Sequence, residues 1–178
     1  GQPGITWLEL EPAVAEPISI PELRQSIHAL RSSWTPGDAC RAMAAETRRL
    51  VGYDRVMVYR FDRDDHGHVV AEATRDDEEV RYLHHHFPEA DIPAQARRLY
   101  LRHTSRLIVD SSYEPQPIAP LLTNGGEPLD LSDVHIRSVS PIHCEYLRNI
   151  GVGGTFTMSV VIDGRLWGLV ACHHRDAR

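Results

Sequence analysis

Residues 84–103 concentrate side chains that could carry chemistry: three consecutive histidines, then Phe87, then the Asp91-Ile92-Pro93 that opens a predicted basic helix. Three histidines in a row cannot all point one way on a helix or a strand, so the triplet alone predicts a poor metal site. Zinc sites need about four ligands at spacings such as CxxC or HExxH, and neither motif occurs. The sequence therefore predicts no metal site.

Nucleophilic catalysis has little support either. The chain contains no GxSxG, GxxxxGK[ST] or GxGxxG motif. Cys144 follows His143 directly, and adjacent residues of a helix do not face each other, so this pair does not predict a thiol activated by an imidazole. We predict that the chain is not an enzyme.

A pocket for a large ligand accounts for more of these residues. Asp91 precedes Pro93 by two, and we expect its backbone to be extended beside a helix start, where its carbonyl and side chain can reach a ligand. Arg106 and Arg137 lie at predicted strand and loop ends, where guanidinium groups can bind carboxylates with two hydrogen bonds. His143 lies in the first turn of a predicted helix. Four aromatic residues come from different elements and suggest a flat conjugated ligand: Tyr59, Phe87, Tyr100 and Tyr146.

Composition limits the class of protein. The 178 residues, 42% hydrophobic and 25% charged, predict one globular domain with a core. A net charge of −6 argues against nucleic-acid binding, which favours a basic surface. No apolar run is long enough for a membrane span, and no signal peptide is recognisable. Because the three cysteines, Cys40, Cys144 and Cys172, have no paired spacing, we predict a reducing, cytoplasmic location.

Two helices with recognisable caps are predicted first. Ser19 and Glu22 form a capping box, and Thr35 caps a second helix that ends at Gly52. We expect the first helix to have one apolar face, formed by Leu23, Ile27 and Leu30.

Strand patterns dominate the remainder of the chain. Asp163-Gly164 between two alternating runs predicts a hairpin, and residues 111–133 predict a long functional loop. Helices followed by antiparallel strands indicate an α+β fold with helices packed on a sheet. The other predicted strands are residues 5–10, 55–61, 69–75 and 106–110, and the other predicted helices are residues 93–103 and 142–149.

Three separated segments of this sequence resemble one known family. They are "GYDRVMVYRFD", "FPEADIPAQARRLYLRH" and "IRSVSPIHCEYLRNIGVGGTFTMSVVIDGRLWGLVACHH". Together they are similar to the chromophore-binding GAF domain of bacterial phytochromes, over about residues 35–174. The resemblance implies a GAF fold with about six antiparallel strands flanked by helices. It also implies a bound linear tetrapyrrole, biliverdin, and either red/far-red photoisomerisation or near-infrared fluorescence.

The resemblance also implies roles for individual residues. Asp91 matches the aspartate whose carbonyl holds the pyrrole nitrogens, and His143 matches the histidine beside the inner pyrroles. His173 matches the histidine near the carbonyl of the terminal ring. The remaining matched positions are Tyr59, Phe87 and Tyr146 around the rotating ring, Arg106 and Arg137 at the propionates with Ser140, Thr155 and Thr157 in hydroxyl roles there, and Ile92 and Pro93 as walls.

Covalent attachment is not predicted at a particular residue. Bacterial members of the family attach biliverdin through a cysteine ahead of an N-terminal PAS domain, and other members through a cysteine where this chain has Ile142. Cys144 is the one cysteine of the motif. It is about 200° around the helix from position 142, so we expect no thioether there.

The domain boundaries follow from the same resemblance. Residues 1–18 are expected to be a remnant of an upstream PAS domain, and residues 19–178 the GAF domain. The family threads an N-terminal segment through the loop matched by residues 111–133. With almost nothing ahead of residue 20, we expect that loop to lack its threaded segment and to be mobile. We also expect downstream PHY and kinase domains in the parent protein. A homodimer formed through helices is a further expectation.

Other interpretations stay open at this point. The chain could be an apo GAF domain that binds a small ligand or dimerises. It could also be a metalloprotein built on its eleven histidines, or a minimal near-infrared reporter. The combination of Asp91, His143, Arg106 and Arg137 favours the tetrapyrrole, because a plain GAF fold has no need of it.

Overall fold

The structure, a computed structural model, describes residues 4–10, 18–77, 80–123 and 125–178. Its helices are α1 (Ile20–Arg31), α2 (Pro36–Val51), α3 (Ala94–Arg102) and α4 (Pro141–Asn149), with a 3-10 turn at Glu89–Asp91. Its strands are β1 (Arg55–Phe61), β2 (Gly67–Thr74), β3 (His86–Phe87), β4 (Ser105–Ile108), β5 (Gly154–Ile162) and β6 (Arg165–His174). None of the described helices is both long and apolar enough to span a membrane.

The six described strands form one antiparallel sheet in the order β3-β2-β1-β6-β5-β4. The predicted α+β fold, a sheet of about six antiparallel strands flanked by helices, is thereby confirmed. The β5–β6 hairpin turns at Asp163 and Gly164, whose φ angles are both positive, as the turn residues predicted. Strand β3 was not predicted, since two residues are too few for a periodic pattern.

Strand alternation gives the sheet two different faces. On one face, Val56 and Val58 of β1 pack with Cys172 of β6 against Cys40 and Ala44 of α2. On the other face, the intervening residues Met57, Tyr59 and Leu169 point away from α2. Helix α2 thus covers one face and α1 packs on α2, while the second face is left for α3, α4 and the segment after β3.

The predicted helix caps are confirmed. Ser19 and Glu22 bond reciprocally at the start of α1, the Thr35 hydroxyl accepts from Asp38 N, and Gly52 ends α2 with φ of 67°. The predicted apolar face of α1 is largely exposed, since Leu23 and Ile27 are 48% and 45% exposed. Helix α1 instead meets α2 through polar bonds, because Ser26 donates to a Glu46 carboxylate oxygen at 2.8 Å.

The segment 5–10 is extended but pairs with no described strand, so the predicted strand there is wrong. The segment nonetheless contacts the long loop. Ile5 and Trp7 line a small cavity with Ile118 and Leu122, and Glu9 Oε1 accepts from Ile136 N at 2.8 Å. The described residues ahead of position 20 therefore lie beside the loop, and the mobility of the loop stays a prediction. Part of the predicted PAS remnant, residues 1–3 and 11–17, lies outside the described residues.

Candidate functional site

A cavity of about 700 Å³ opens on the sheet face opposite α2. Its floor is formed by strands β1, β5 and β6, and its walls by α3, α4 and residues 87–93. Fifteen of the sixteen residues singled out in the sequence line it, and Cys144 does not. The fifteen are Tyr59, Phe87, Asp91, Ile92, Pro93, Tyr100, Arg106, Arg137, Ser140, Ile142, His143, Tyr146, Thr155, Thr157 and His173.

Asp91 enters the cavity from a different backbone conformation than expected. It ends the 3-10 turn and donates its N–H to Pro88 O at 3.1 Å. Ile92, with φ of −130° and ψ of 79°, is the non-helical residue before Pro93. The expectation of an extended Asp91 is wrong because the proline restricts only the residue directly before it. The Asp91 carboxylate forms no ion pair with any residue that the structure describes.

Tyr59 and Tyr146 lie near enough to Asp91 to feel the charge of its carboxylate. Tyr59 lies with its ring centroid 5.9 Å from that of Phe87, and Tyr146 stacks on His143 at 6.3 Å. Burial raises the pKa of Tyr59 to about 12, and the charge of Asp91 adds to the effect. Burial, and then Asp91, also raises the pKa of Tyr146. Both phenols are therefore neutral hydrogen-bond donors at physiological pH, close to one carboxylate.

Two arginines form the cationic end of the cavity. Arg106 on β4 donates to the carbonyls of His135 and Arg137, each at 2.5 Å, and Arg137 donates to Val134 O at 2.7 Å. Burial, and then the charge of Arg137, lowers the pKa of Arg106. Neither guanidinium has an acidic partner among the described residues, although each has N–H groups to spare. This end of the cavity is thus suited to an anionic group.

Three histidines line the cavity as neutral rings. Burial, then the charges of Arg55 and His143, lower the pKa of His173 to about 4. Burial and Arg106 lower the pKa of His143, and burial and Arg137 lower that of His103. His173 Nδ1 is buried and has no hydrogen-bond partner among the described residues, whereas His103 Nε2 lies 3.5 Å from Asp133 Oδ1. Such orphaned polar atoms are costly unless a ligand or water bonds to them.

Tyr100 of α3 and Thr157 of β5 link the helix to the floor. Burial raises the pKa of Tyr100, and its hydrogen bond with the Thr157 side chain opposes that effect. Ser159 Oγ also donates to Tyr100 O at 2.6 Å. These bonds fix the position of α3 over the sheet. They also hold the hydroxyl groups of Tyr100 and Thr157 at the cavity wall.

Cys144 lies outside the cavity. Its side chain is buried on the inner side of α4, and burial raises the pKa of its thiol. Ile142, two positions earlier, does line the cavity. The helical rotation between the two positions explains the difference, as the sequence indicated.

A buried ion pair supports the segment that leads into the cavity wall. Arg55 of β1 lies 3.1 Å from Glu72 of β2, and both side chains are less than a tenth exposed. Glu72 also accepts the N–H groups of Tyr82 and Leu83, and the Arg55 guanidinium lies 4.4 Å above the Tyr82 ring. Tyr82 is a cavity residue that the sequence analysis missed.

Other missed cavity residues could have been found from periodicity. Met57 lies two positions from Tyr59, and Leu169 and Ala171 alternate with His173, so all face the cavity. On α3, Ala96, Leu99 and His103 share the face of Tyr100. Ser138, Val139 and Ile150 lie in loops or at a helix end, and no periodic signal marks them.

The fold and the cavity place the chain in a family. Residues 35–178 match the family model described as "GAF domain", so the chain belongs to the GAF domain family. It is 48% identical over 173 residues to a bacteriophytochrome of Xanthomonas campestris pv. campestris, covering 94% of this chain and 27% of that protein. It is 55% identical over 134 residues to a bacteriophytochrome of Pseudomonas aeruginosa, covering 75% of this chain and 18% of that protein.

Solved structures give the same result. A bacteriophytochrome crystal structure from R. palustris superposes with a TM-score of 0.90 and 38% identity, covering 94% of this chain and 34% of that chain. The chromophore-binding domain of an unusual bacteriophytochrome from R. palustris superposes at 0.85 and 40% identity, covering 89% and 53%. The expected resemblance to bacteriophytochrome GAF domains is confirmed. The chain spans about a quarter or less of the two curated relatives.

Proposed function

We propose that this chain is a red/far-red light-sensing module that binds biliverdin in the cavity over β1, β5 and β6. The observation that carries the proposal is the convergence of fifteen expected residues, from seven separate elements and their loops, on one cavity. The relatives named bacteriophytochromes, and a structural neighbour described as a chromophore-binding domain, support it.

The dimensions of the cavity suit a ligand of this size. Its volume of about 700 Å³ is in the range of sites for cofactors and other small ligands. Much of its wall is aliphatic or aromatic, including Met57, Ile92, Leu99 and Leu169. Apolar walls of this kind stabilise a conjugated ring system by excluding water.

The polar groups of the cavity match the chemistry of a tetrapyrrole with two carboxylates. Arg106 and Arg137, which have no acidic partner among the described residues, would bind the propionates. Asp91 and His143 would face the pyrrole nitrogens. His173, neutral and with an orphaned Nδ1, would bond to a ring carbonyl or N–H.

When bound, biliverdin supplies absorption of red light and a double bond that can isomerise. The residues of this chain set the consequence of absorption. Tyr59, Phe87 and Tyr146 confine one end of the cavity, and their packing decides whether a ring there can rotate. A tightly confined ring favours fluorescence, and a loosely confined ring favours photoconversion.

We do not propose Cys144 as an attachment point, because its thiol is buried outside the cavity and its pKa is raised. We also propose no catalytic role, and assign any enzymatic output to other domains of a longer protein. A cytoplasmic location, neighbouring PAS and PHY domains and a helix-mediated homodimer stay predictions.

The test is an absorption titration of the purified chain with biliverdin, before and after red illumination. We expect a red-shifted, sharpened band that free biliverdin lacks, and a light-driven change in that band. Ala171→Phe, which fills the cavity from its floor, should weaken binding at least tenfold. Ala45→Phe, on the exposed side of α2, is the matched control and should bind as the unmodified chain does.

Two outcomes would contradict the proposal. One is a wild-type spectrum identical to that of free biliverdin. The other is equal binding by Ala171→Phe, with circular dichroism showing that the variant is folded, since this would place the pigment elsewhere.

A further inference from the structure

A second group of polar side chains lies outside the cavity, where the β1–β2 hairpin meets β3. His68 and His86 are directly opposite each other in the β2–β3 pairing, and their rings stack at 4.2 Å with a 13° interplanar angle. Asp62 follows the end of β1. One potential ligand atom from each of these three residues lies within 4.8 Å of the other two.

His66, in the hairpin turn, adds a fourth donor. Its Nε2 lies 3.0 Å from His86 Nδ1 and 3.2 Å from Asp62 Oδ2. Its Nδ1 hydrogen-bonds to the Asp64 carboxylate. Metal-binding histidines commonly have this arrangement, in which a carboxylate fixes one ring nitrogen and orients the other toward the ion.

The separations agree with a small coordination sphere. Nitrogen and oxygen ligands at 2.0–2.1 Å from a tetrahedral ion lie about 3.3 Å from one another. The two distances from His66 Nε2, 3.0 and 3.2 Å, are close to that value. The ligand atom of His68 lies within 4.8 Å of those of Asp62 and His86, so a side-chain rotation is what would bring it to the same ion.

The Asp62 carboxylate has one oxygen available for an ion, because Arg60 binds the other. Arg60 Nη2 lies 2.6 Å from Asp62 Oδ1, so it orients the carboxylate and occupies one oxygen. Oδ2 faces the histidines. Imidazole nitrogens with a single carboxylate suit zinc, nickel, copper or iron, whereas magnesium prefers oxygen ligands alone.

We infer that Asp62, His66, His68 and His86 form a binding site for a divalent transition-metal ion, distinct from the tetrapyrrole cavity. The sequence predicted no metal site because the histidine triplet has the wrong spacing for one. In the folded chain, His86 of the triplet lies beside His66 and His68 of the neighbouring β1–β2 hairpin.

Bound metal would join β3 to the hairpin through side chains. Strand β3 has only two residues and pairs with β2 at two positions, so such a link would add substantially to its order. The residue after His86 is Phe87, a cavity wall residue. We therefore expect metal to stabilise the strand that carries one side of the cavity.

The experiment titrates Zn²⁺ into the untagged full chain, without added tetrapyrrole because pyrrole nitrogens also ligate metal ions. Calorimetry and competition with a chromogenic chelator give the affinity and the stoichiometry. We expect one Zn²⁺ per chain and no comparable binding of Mg²⁺. Replacing either paired histidine, by His68→Gln or His86→Gln, should weaken Zn²⁺ binding at least tenfold.

His85→Gln is the matched control. His85 is the sequence neighbour of His86 and equally part of the triplet, but its ring contacts Tyr82 instead of the cluster. It should bind Zn²⁺ as the unmodified chain does. The inference is overturned if the unmodified chain fails to compete with the chelator, or if His85→Gln weakens binding as much as His86→Gln.

A stability measurement provides a second readout. Because a ligand that binds the folded state alone raises its melting temperature, Zn²⁺ should raise the Tm of the unmodified chain and of His85→Gln. It should not raise the Tm of His86→Gln. An equal Tm increase in all three proteins would place the ion elsewhere and overturn the assignment.

Discussion

His173 shows how one residue can link the cavity to the stability of the fold. Its folded-state pKa is about 4, well below the 6.5 of a free histidine. Between about pH 4 and pH 6.5, His173 binds a proton in the unfolded chain but stays neutral in the folded chain. The stabilisation is therefore fully present above about pH 6.5 and is lost as the pH falls toward 4.

We predict that the chain without tetrapyrrole loses about 2 kcal/mol of unfolding free energy through His173 between about pH 7.5 and pH 5. Urea denaturation at the two pH values measures the loss. In His173→Gln the loss should be smaller by about that amount, because glutamine does not titrate.

The control for this prediction is His28→Gln, which changes an exposed histidine of α1. It should keep the pH dependence of the unmodified chain. His143 and His103 also have lowered pKa values and contribute equally in all three proteins. A His173→Gln variant with the unmodified pH dependence would show that His173 is protonated normally in the fold.

At the scale of elements, the β1–β2 hairpin sets the position of a cavity wall. A Cβ atom on Gly67 would lie 1.6 Å from Cζ and Oη of Tyr59, so the tyrosine ring occupies the space that any other residue would need. The ring of Tyr59 also contacts Phe61 and Phe87, at 5.4 and 5.9 Å. Because Gly67 of β2 has no side chain, the Tyr59 ring can lie over it, against the sheet.

We predict that Gly67→Ala destabilises the chain by about 1–3 kcal/mol, the usual range for overpacking, because the ring must move. Chemical denaturation measures the effect. In a Tyr59→Val background the same change should cost less than half as much, since valine leaves room for the methyl group. Equal costs in both backgrounds would mean that the ring is not the obstacle.

At the scale of the whole molecule, the first described residues and the long loop stabilise each other. Trp7 and Ile5 line a small cavity together with Ile118 and Leu122 of the loop, and Glu9 accepts the backbone N–H of Ile136, just after the loop. These contacts join positions more than 100 residues apart in the chain. Residues 134–140 connect the loop to α4, whose residues line the cavity.

We predict that Trp7→Ala lowers the unfolding free energy by about 1–2 kcal/mol, in proportion to the half-buried apolar surface that is lost. It should also speed proteolytic cleavage within residues 111–133, which mass spectrometry of limited digests can locate. Leu8→Ala is the control, because Leu8 is 81% exposed. A digest of Trp7→Ala that matches that of Leu8→Ala would argue against this contact.

Local patterns predicted most of the secondary structure. The capping box of α1, the glycine end of α2 and the Asp163-Gly164 turn depend on residues within a few positions, and all three are confirmed. Strand β3 and the exposed face of α1 were not predicted. Both depend on which elements lie next to each other in the folded chain. A local sequence pattern carries no information about those neighbours.

For the cavity, the resemblance to a known family identified the chemical groups and the structure gave their arrangement. The convergence of Arg106, Thr157 and His173 on one volume is decided by the register of β4, β5 and β6. The low pKa of His173 also belongs to the tertiary structure, because it arises from burial and from two neighbours distant in sequence.

The sequence by itself determined the class of fold, the helix ends and the types of residue available to a large ligand. Those properties depend on alternation, caps and turn residues, which act over a few positions. The tertiary structure alone decided that Asp62 and His66 come close to His86, and that His68 lies beside that group. Such contacts between elements exist only once the strands have paired, because pairing brings together residues that the chain keeps apart.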